Sequence, residues 1–406
     1  MKRQEDFLKK TVVAMLSCMC LYAGADVART DVFSIWTDPV PAGRNPDAVP
    51  LVPGVEQVTV LHATAATGGY NHNSRIFFHK GLFHALWSNH RYGEDAPGQR
   101  VLHATSMDGL AWSDPGELMP AVVPEAPHGR TGLFSYGCEI FSWQDRLFAE
   151  IRISSVTGWD NRDHSVSSPV ATKECRYPVY KAVGRVFREL LPAGGYGVLF
   201  TDSQLVLSAD LLPKVVPISE ACPGFSRPRA PYNLADAFRQ NPENRRFCEP
   251  AIWRTKGGRF VSLLRDDTGG QYKWITVSDD GFKWTRPRMT DMPDAPSLSC
   301  AAALPDGRIL LVGNHAHWFR DESKKIHVRD PLMISLSEDG VHFVRSWSVY
   351  RGCPEPRVPN VVYRGGGASY ANIIVVGRYC YVIYSIGRED IGLSRIPLTA
   401  FDGKGK

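Results

Sequence analysis

The 406-residue sequence lacks three features that would each indicate a different class of protein. No apolar run after residue 25 approaches the length of a membrane-spanning helix, so no membrane span is expected. Basic tracts and recognisable nucleic-acid modules are missing, and the net charge of +5 is spread along the chain. Nucleic acid is therefore not an expected partner. Helical patterning is scarce as well, because only 177–191 is predicted to be helical, as an insertion.

The N-terminus has the composition of an export signal. A charged stretch ends in Lys9-Lys10, an apolar run covers 11–22, and small residues at 23–25 form a small-x-small cleavage site. A lipoprotein signal centred on Cys18 is the alternative, although Met15 stands where a Leu is expected. We therefore expect a signal peptide at 1–25 and a secreted or periplasmic mature chain.

Cysteine is sparse in that mature chain. Of nine cysteines, Cys18 and Cys20 leave with the signal, and the remaining number is odd. At least one thiol is then unpaired or binds a metal. His164 and Cys175 lie in a polar, loop-like region and, with Cys222, are predicted ligands of a structural zinc. Buried thiols or one disulfide are the alternative, and no catalytic metal is required.

Three short segments repeat the arrangement Ser-x-Asp-Gly-x-x-aromatic, at 106–112, 278–284 and 337–343. An Asp-Gly pair makes a tight turn, because the Asp side chain accepts local backbone hydrogen bonds and Gly tolerates positive φ. The aromatic residue can anchor the strand that follows. The pattern resembles the Asp box of sialidase-like β-propellers.

Apolar strand pairs joined by short turns surround these boxes, at 75–87, 139–153, 251–264, 301–312 and 372–384. Repeated sheet units of this length indicate radial repetition. At about 50 residues per four-stranded blade, 26–406 is predicted to be one all-β catalytic domain. We expect a β-propeller of seven blades, with six as the alternative, and 55–63 closing the ring against the last blade.

Polar residues gather at the ends of two successive hairpins. His72 and His90 lie at the two ends of the first hairpin, and Tyr136 and Arg152 take the corresponding positions in the second. Since antiparallel partners return to the same edge, all four side chains are predicted to share one rim of the ring.

The segment from 70 to 152 also carries a series of motifs in fixed order. It reads Tyr-x-His at 70–72, Trp-Ser-Asn at 87–89, Glu-Asp-x-Pro-Gly-Gln-Arg at 94–100, an Asp box, then Tyr136 and Arg152. This series resembles the seven-bladed propeller polysaccharide lyases that cut ulvan and their relatives acting on rhamnose–glucuronate linkages. The resemblance implies an acidic polysaccharide substrate and a structural zinc near His164 and Cys175. We expect a monomer.

The reaction implied by the resemblance is β-elimination at a uronic acid. Arg152 and His72 would neutralise the carboxylate, because a guanidinium can hold a carboxylate through two hydrogen bonds. His90 would take the C5 proton as base and Tyr136 would protonate the leaving oxygen as acid. The roles of the two histidines and the tyrosine are interchangeable at this stage.

Three other functions remain open. A rhamnosidase on the same propeller is the first, and a non-catalytic carbohydrate-binding propeller is another. A sialidase would use Arg75 and Arg265 to hold a carboxylate and Tyr370 as nucleophile, although Phe77 replaces the Pro of the Arg-Ile-Pro motif. Four residues are predicted substrate contacts: Asn89, Tyr196, Arg265 and His315.

Overall fold

The computed structural model describes residues 32–37, 46–123, 131–157, 179–192, 194–201, 215–217, 222–225, 230–241, 245–268, 270–316, 319–321, 326–361 and 365–403. These residues form 23 strands and one short α-helix, α1 (Ala235–Arg239). The signal peptide at 1–25, His164 and Cys175 lie outside them. Within the described residues, no helix has the length and apolarity needed to cross a membrane.

Antiparallel sheets, arranged as blades, make up nearly all of the described structure. Blade 1 contains β2 (Tyr70–His79), β3 (Leu82–His90), β4 (Arg100–Ser106) and β5 (Gly116–Met119). Blade 2 contains β6 (Thr131–Trp143), β7 (Arg146–Thr157), β8 (Val179–Leu190), β9 (Tyr196–Thr201) and β10 (Val215–Pro217), the last parallel to β9. Blade 3 contains β11 (Phe247–Arg254), β12 (Phe260–Asp266), β13 (Tyr272–Ser278) and β14 (Arg288–Pro293).

The remaining strands form two blades and one small hairpin. Blade 4 contains β15 (Cys300–Ala303), β16 (Ile309–Gly313), β19 (Leu332–Ser337) and β20 (Phe343–Tyr350). A separate hairpin, β17 (Phe319–Asp321) with β18 (Ile326–Val328), lies between β16 and β19 in the chain. Blade 5 contains β21 (Ala368–Val376), β22 (Tyr379–Ile386), β23 (Asp390–Pro397) and, at its outer edge, β1 (Glu56–Leu61).

The blade number corrects the sequence prediction. Seven blades, with six as the alternative, is wrong, because the chain forms a propeller of five blades in its described residues. The estimate assumed about 50 residues for every blade. Blade 2 alone extends from residue 131 to 217, with strands of 13, 12 and 12 residues, and β11 begins only at residue 247.

The predicted helix at 177–191 is also wrong. The described part of this segment contains β8, which pairs with β7 along nearly its whole length, from Val179 opposite Thr157 to Leu190 opposite Leu147. Val186 and Leu190 are buried in the sheet. Pairing with a long neighbouring strand satisfies the backbone hydrogen bonds, so tertiary context overrides the weak local helical pattern.

The prediction for 55–63 is confirmed. β1 pairs antiparallel with β23, with Glu56 opposite Arg395. An N-terminal strand therefore completes the last blade, which ties the two ends of the propeller together and covers a sheet edge.

The three Asp boxes form the predicted turns after the third strands of blades 1, 3 and 4. In the second box, the N–H of Gly281 donates to Ser278 Oγ at 2.9 Å, and Asp280 Oδ1 accepts from the N–H groups of Phe282 and Lys283 at 2.8 and 2.7 Å. Gly281 has φ +81°, which favours glycine. Trp284 then lies buried beneath the turn.

The first strand of each blade faces the centre. β2 contacts β21 and β6, and β15 contacts β11 and β21, so the blades follow one another around the axis in the order 3, 4, 5, 1, 2. Apolar side chains fill the space between neighbours, such as Leu86 and Val101 of blade 1 against Ile140 and Leu147 of blade 2. Each such fully buried side chain contributes about 1.5–3 kcal/mol to stability. The inner strands are thereby held rigidly around a central cavity.

Candidate functional site

The inner strands β2, β6, β11 and β21 each carry a β-bulge beside one cavity, and in three of them a bulge residue has a positive φ. The strand register shifts in β2, β11 and β21 at Asn73, Glu249 and Tyr370. These residues have φ of +57°, +47° and +57°, a region that non-glycine residues seldom occupy. A bulge redirects a side chain, and bulges occur often beside active sites. All three side chains line one cavity.

That cavity has a volume of about 490 Å³, within the range of about 300–1,000 Å³ typical of ligand sites. Its two sides differ. The Tyr370 wall consists of Glu249 and Tyr370, with Arg265 and Arg329 against them. The Arg152 wall belongs to blade 2 and consists of Phe134, Tyr136, Arg152, Ser154 and Tyr180.

A closed hydrogen-bonded triangle organises the Tyr370 wall. The Tyr370 hydroxyl donates to Glu249 Oε1 at 2.6 Å, and Arg265 Nη1 donates to both the Tyr370 hydroxyl oxygen at 2.8 Å and Glu249 Oε2 at 2.7 Å. Arg265 Nη2 reaches Asp267 Oδ1 at 2.8 Å. The Arg329 guanidinium lies 5.4 Å from the centre of the Tyr370 ring. A phenol is thus bound to a carboxylate and surrounded by positive charge.

Burial controls the charges of this wall. Tyr370 is 8% exposed, and burial together with the Glu249 carboxylate raises the pKa of its hydroxyl. Burial lowers the pKa of Arg329 to about 10, which leaves the guanidinium charged at neutral pH. The phenol is therefore protonated at rest, and Glu249 is positioned to accept its proton.

His72 packs directly on Tyr370, at one corner of this triangle. Its ring centroid is 4.2 Å from that of Tyr370, and the residue is fully buried. Burial, and then the charge of Arg388, hold the pKa of His72 well below its usual range. A neutral imidazole next to the site can pack against Tyr370, and it adds no charge that would hold a carboxylate.

His90 is bound to its own loop. Its Nδ1 accepts hydrogen bonds from the N–H groups of Tyr92 and Gly93 at 3.0 and 3.1 Å, and its Nε2 lies 3.2 Å from the Pro97 carbonyl oxygen. Burial lowers the pKa of His90 to about 4. Both ring nitrogens are engaged by backbone, so this geometry leaves no lone pair for a substrate proton.

The loop that His90 holds brings two carboxylates to the cavity. Glu94 forms an ion pair with Arg388 at 2.8 Å. Asp95 has φ +55°, and its N–H donates to Gln99 Oε1 at 2.8 Å. Asp95 thus brings a carboxyl group to the cavity on a loop that is fixed by its own hydrogen bonds.

Tyr136 and Arg152 lie together on the opposite wall. They are directly opposite each other in the β6–β7 register. The Arg152 side chain is 44% exposed, and its Nε lies 3.9 Å from Glu150 Oε1. The structure thus brings these two predicted residues into one cavity, whereas His90, at the end of β3, binds the loop that follows it and is not among the lining residues.

Three predicted substrate contacts serve the framework, and only Arg265 reaches the site. Asn89 donates to Thr67 O at 2.9 Å and accepts from Arg100 Nε at 2.7 Å. His315 is fully buried, with Nδ1 3.1 Å from Ser335 Oγ. The Tyr196 hydroxyl lies 3.3 Å from His103 Nδ1, between blades 1 and 2.

The predicted zinc site is described only at Cys222. That residue is buried among the phenylalanines at positions 141, 148, 187 and 200. Elsewhere in the described ranges, no group of three or more His, Cys, Asp or Glu side chains is arranged to hold a metal ion. Zinc binding by His164, Cys175 and Cys222 stays a prediction.

Glu249 and Arg329 have no local motif that would single them out. Glu249 lies in a Phe-Cys-Glu-Pro segment and Arg329 precedes an Asp-Pro pair, both of which resemble ordinary strand ends. Arg265 and Tyr370 are suggestive only when they are considered together. Glu249 could have been found from the sequence by a search for charged residues at the ends of successive inner strands.

Comparison with known proteins agrees with this architecture. The model of a family described as "BNR repeat-like domain" matches residues 226–382. A solved structure titled "Sialidase" aligns over 90% of this chain with a TM-score of 0.63 and 18% identity, and the chain covers 35% of that protein's length. The chain has the sialidase-like propeller fold.

A second solved structure is similar along its whole length. This protein of unknown function from Dyadobacter fermentans DSM 18053 aligns over 85% of the present chain and 99% of its own, with a TM-score of 0.52 and 14% identity. No curated protein matches the chain. At these identities the likeness concerns the fold, so the function has to be argued from the site.

Proposed function

We propose that this chain is a retaining glycoside hydrolase of the sialidase type, which removes a terminal sugar bearing a carboxylate on its anomeric carbon. The observation that supports this most is the triangle of Tyr370, Glu249 and Arg265. It combines an activated nucleophile, a base and a carboxylate-binding cation in one cavity. The solved sialidase that shares this fold supports the same class.

The first chemical step uses the short Tyr370–Glu249 hydrogen bond. As the Tyr370 oxygen attacks the anomeric carbon, its proton moves to Glu249, and the bond between the anomeric carbon and the leaving oxygen breaks. Asp95 donates a proton to that oxygen. A phenol suits this attack because it is neutral at rest, whereas a carboxylate nucleophile would be repelled by the substrate's own carboxylate.

The second step reverses the roles. Asp95, now ionised, takes a proton from water, and the water oxygen attacks the anomeric carbon. The bond to the Tyr370 oxygen breaks, and Glu249 returns its proton to the phenol. Two displacements at one carbon retain its configuration.

Arginine side chains supply the binding energy for the substrate carboxylate. Arg265 and Arg329 are held against Tyr370, and Arg75 lines the same cavity, fixed by its donation to the carbonyls of Ser74 and Cys138 at 3.0 and 3.2 Å. A buried guanidinium keeps its charge and grips a carboxylate through paired donors. These three residues are the proposed carboxylate site.

A polysaccharide lyase is the second candidate, favoured by the adjacency of Tyr136 and Arg152 in the same cavity. Those two residues would supply the acid and the carboxylate-neutralising cation of a β-elimination. The base is the weakest element of the lyase mechanism. The ring nitrogens of His90 are bound by backbone groups, and His72 is buried against Tyr370.

One experiment distinguishes the glycoside hydrolase from the polysaccharide lyase. Purified protein is treated with 2,3-difluorosialic acid and digested, and the peptide containing Tyr370 is examined by mass spectrometry. In parallel, fluorogenic sialoside hydrolysis and ultraviolet absorbance on uronate polymers are followed for wild type, Tyr370→Phe and Tyr136→Phe. We expect the covalent adduct on Tyr370 and a loss of at least about 10²-fold in sialoside hydrolysis with Tyr370→Phe.

The lyase predicts the opposite pattern. An unsaturated product from uronate polymers that Tyr136→Phe abolishes and Tyr370→Phe leaves intact would replace the hydrolase proposal. Absence of both products and of the adduct would favour a carbohydrate-binding propeller.

A further inference from the structure

The reaction proposed above uses the Tyr370 wall and the Asp95 loop, and it leaves the Arg152 wall without a role. That wall nevertheless lines the same cavity, with a guanidinium, a phenol and a hydroxyl, from Arg152, Tyr136 and Ser154. A few polar groups placed in a concave cavity are typical of a ligand-binding site, so this wall needs an explanation.

Among the described residues, the charges at and behind the Arg152 wall sum to a positive value. Glu150 is fully buried between two arginines, with its Oε1 3.9 Å from Arg152 Nε and 3.5 Å from Arg185 Nε. One carboxylate therefore faces two guanidiniums, at distances beyond a direct hydrogen bond. The two arginine side chains are 44% and 39% exposed.

The acidic groups of the cavity do not cancel this charge. Glu94 is bound by Arg388 at 2.8 Å, and Glu249 is bound by Arg265 at 2.7 Å. Asp95 is assigned above to proton transfer. The Arg152 guanidinium thus remains the cation of the wall that lies across the cavity from the Tyr370 triangle.

Aromatic rings stand beside this cation. Tyr180 is 41% exposed and lies edge-on to Phe134, with ring centroids 6.0 Å apart and an interplanar angle of 79°. Phe134 in turn stacks on Tyr136 at 6.1 Å. An apolar surface next to a few oriented polar groups is the usual composition of a ligand subsite.

We propose that the Arg152 wall is a second anion subsite, which binds an acidic group on the sugar next to the one being removed and makes the enzyme prefer diacidic glycans. This inference rests on the proposed hydrolase function. The Tyr370 wall holds the carboxylate of the terminal sugar. Arg152 and Tyr136 hold the second acidic group, while Tyr180 supports the neighbouring sugar ring.

The test compares two substrates that share one terminal sialic acid. In the monoacidic substrate it is linked to a neutral galactose, and in the diacidic substrate it is linked to a second sialic acid. The kcat/KM of wild type is expected to be at least about tenfold higher for the diacidic substrate, since a hydrogen-bonded charge pair typically contributes that much or more. Arg152→Gln is expected to lower this ratio about tenfold, and Arg152→Lys to restore part of it.

A matched control removes the same charge elsewhere. Arg259 pairs with Asp279 at 2.9 Å on the exposed side of blade 3, so Arg259→Gln should leave the ratio unchanged. Tyr136→Phe is a second variant of the subsite that keeps the ring packing, and it should lower the ratio less than Arg152→Gln.

The possible failures are distinguishable. If wild type hydrolyses both substrates and Arg152→Gln leaves their ratio unchanged, the subsite proposal is overturned while the hydrolase proposal stands. If neither substrate is hydrolysed, both proposals fall. If Arg152→Gln instead abolishes an unsaturated product from uronate polymers, Arg152 serves elimination and the subsite proposal is overturned.

Discussion

Each wall of the cavity combines a tyrosine and an arginine with a glutamate, but Glu249 lines the cavity whereas Glu150 is buried behind its wall. On the Tyr370 wall the phenol donates directly to Glu249, and the Arg265 side chain is 13% exposed. On the Arg152 wall the arginine is 44% exposed, and Glu150 lies 3.9 Å away. Burial and direct hydrogen bonding strengthen electrostatic interactions, so the first wall is suited to chemistry and the second to binding.

Replacement of Glu249 and of Glu150 should show the largest difference in activity between the two walls. Glu249→Gln removes the base for Tyr370 and the negative partner of Arg265, so kcat for sialoside hydrolysis should fall by about 10²–10⁴-fold. Glu150→Gln should lower kcat by less than about tenfold. Steady-state kinetics at matched folded fraction, checked by circular dichroism, measures both. Equal losses would show that the walls do not divide chemistry and binding in this way.

Arginine-to-lysine changes should give a smaller difference in activity between the two walls than the glutamate changes do. The Arg265 guanidinium bridges Tyr370, Glu249 and Asp267, which a single ammonium cannot do, so Arg265→Lys should lower kcat/KM about 10–100-fold. Arg152→Lys keeps the charge at an exposed site, and it should lower kcat/KM for the diacidic substrate only about two- to threefold. A larger loss for Arg152→Lys than for Arg265→Lys would contradict the comparison.

The smallest expected effect concerns the loop that His90 holds. It is measured as a pH dependence of the unfolding free energy. Burial lowers the pKa of His90 to about 4 in the folded chain, against 6.5 in an unfolded one. The unfolded state therefore binds more protons in this window, so the contribution of His90 is complete above about pH 6.5 and is lost as pH falls toward 4. From pH 7.5 to 5.0 this amounts to about 2 kcal/mol of unfolding free energy.

Urea unfolding at a series of pH values checks this expectation. His90→Gln should flatten the decline of unfolding free energy below pH 6.5, although the variant starts from lower stability because it loses backbone hydrogen bonds. His62, with a side chain that is 64% exposed, provides the control, and His62→Gln should keep the wild-type slope. An unchanged slope for His90→Gln would mean that the loop holding Asp95 is not anchored by a neutral imidazole.

Local sequence patterns predicted those parts of the propeller that depend on a few neighbouring residues. The Asp boxes form their turns through contacts between residues two or three positions apart, such as Ser337 with Asp339 and Gly340. The hairpins follow from apolar alternation and turn residues, and Tyr136 and Arg152 face each other because they bracket one hairpin. The blade number and β8 were missed because long strands and connections carry no such local signal.

The sequence by itself therefore determined an all-β chain of repeated hairpins whose N-terminal strand closes the last blade. Only the tertiary structure decided that there are five blades, that the inner strands bulge at Asn73, Glu249 and Tyr370, and that Glu249 meets Tyr370, 121 positions further along the chain. Turn chemistry is encoded within a few residues. A bulge, and a contact across the ring, depend on how whole blades pack around the axis, and no short pattern specifies that packing.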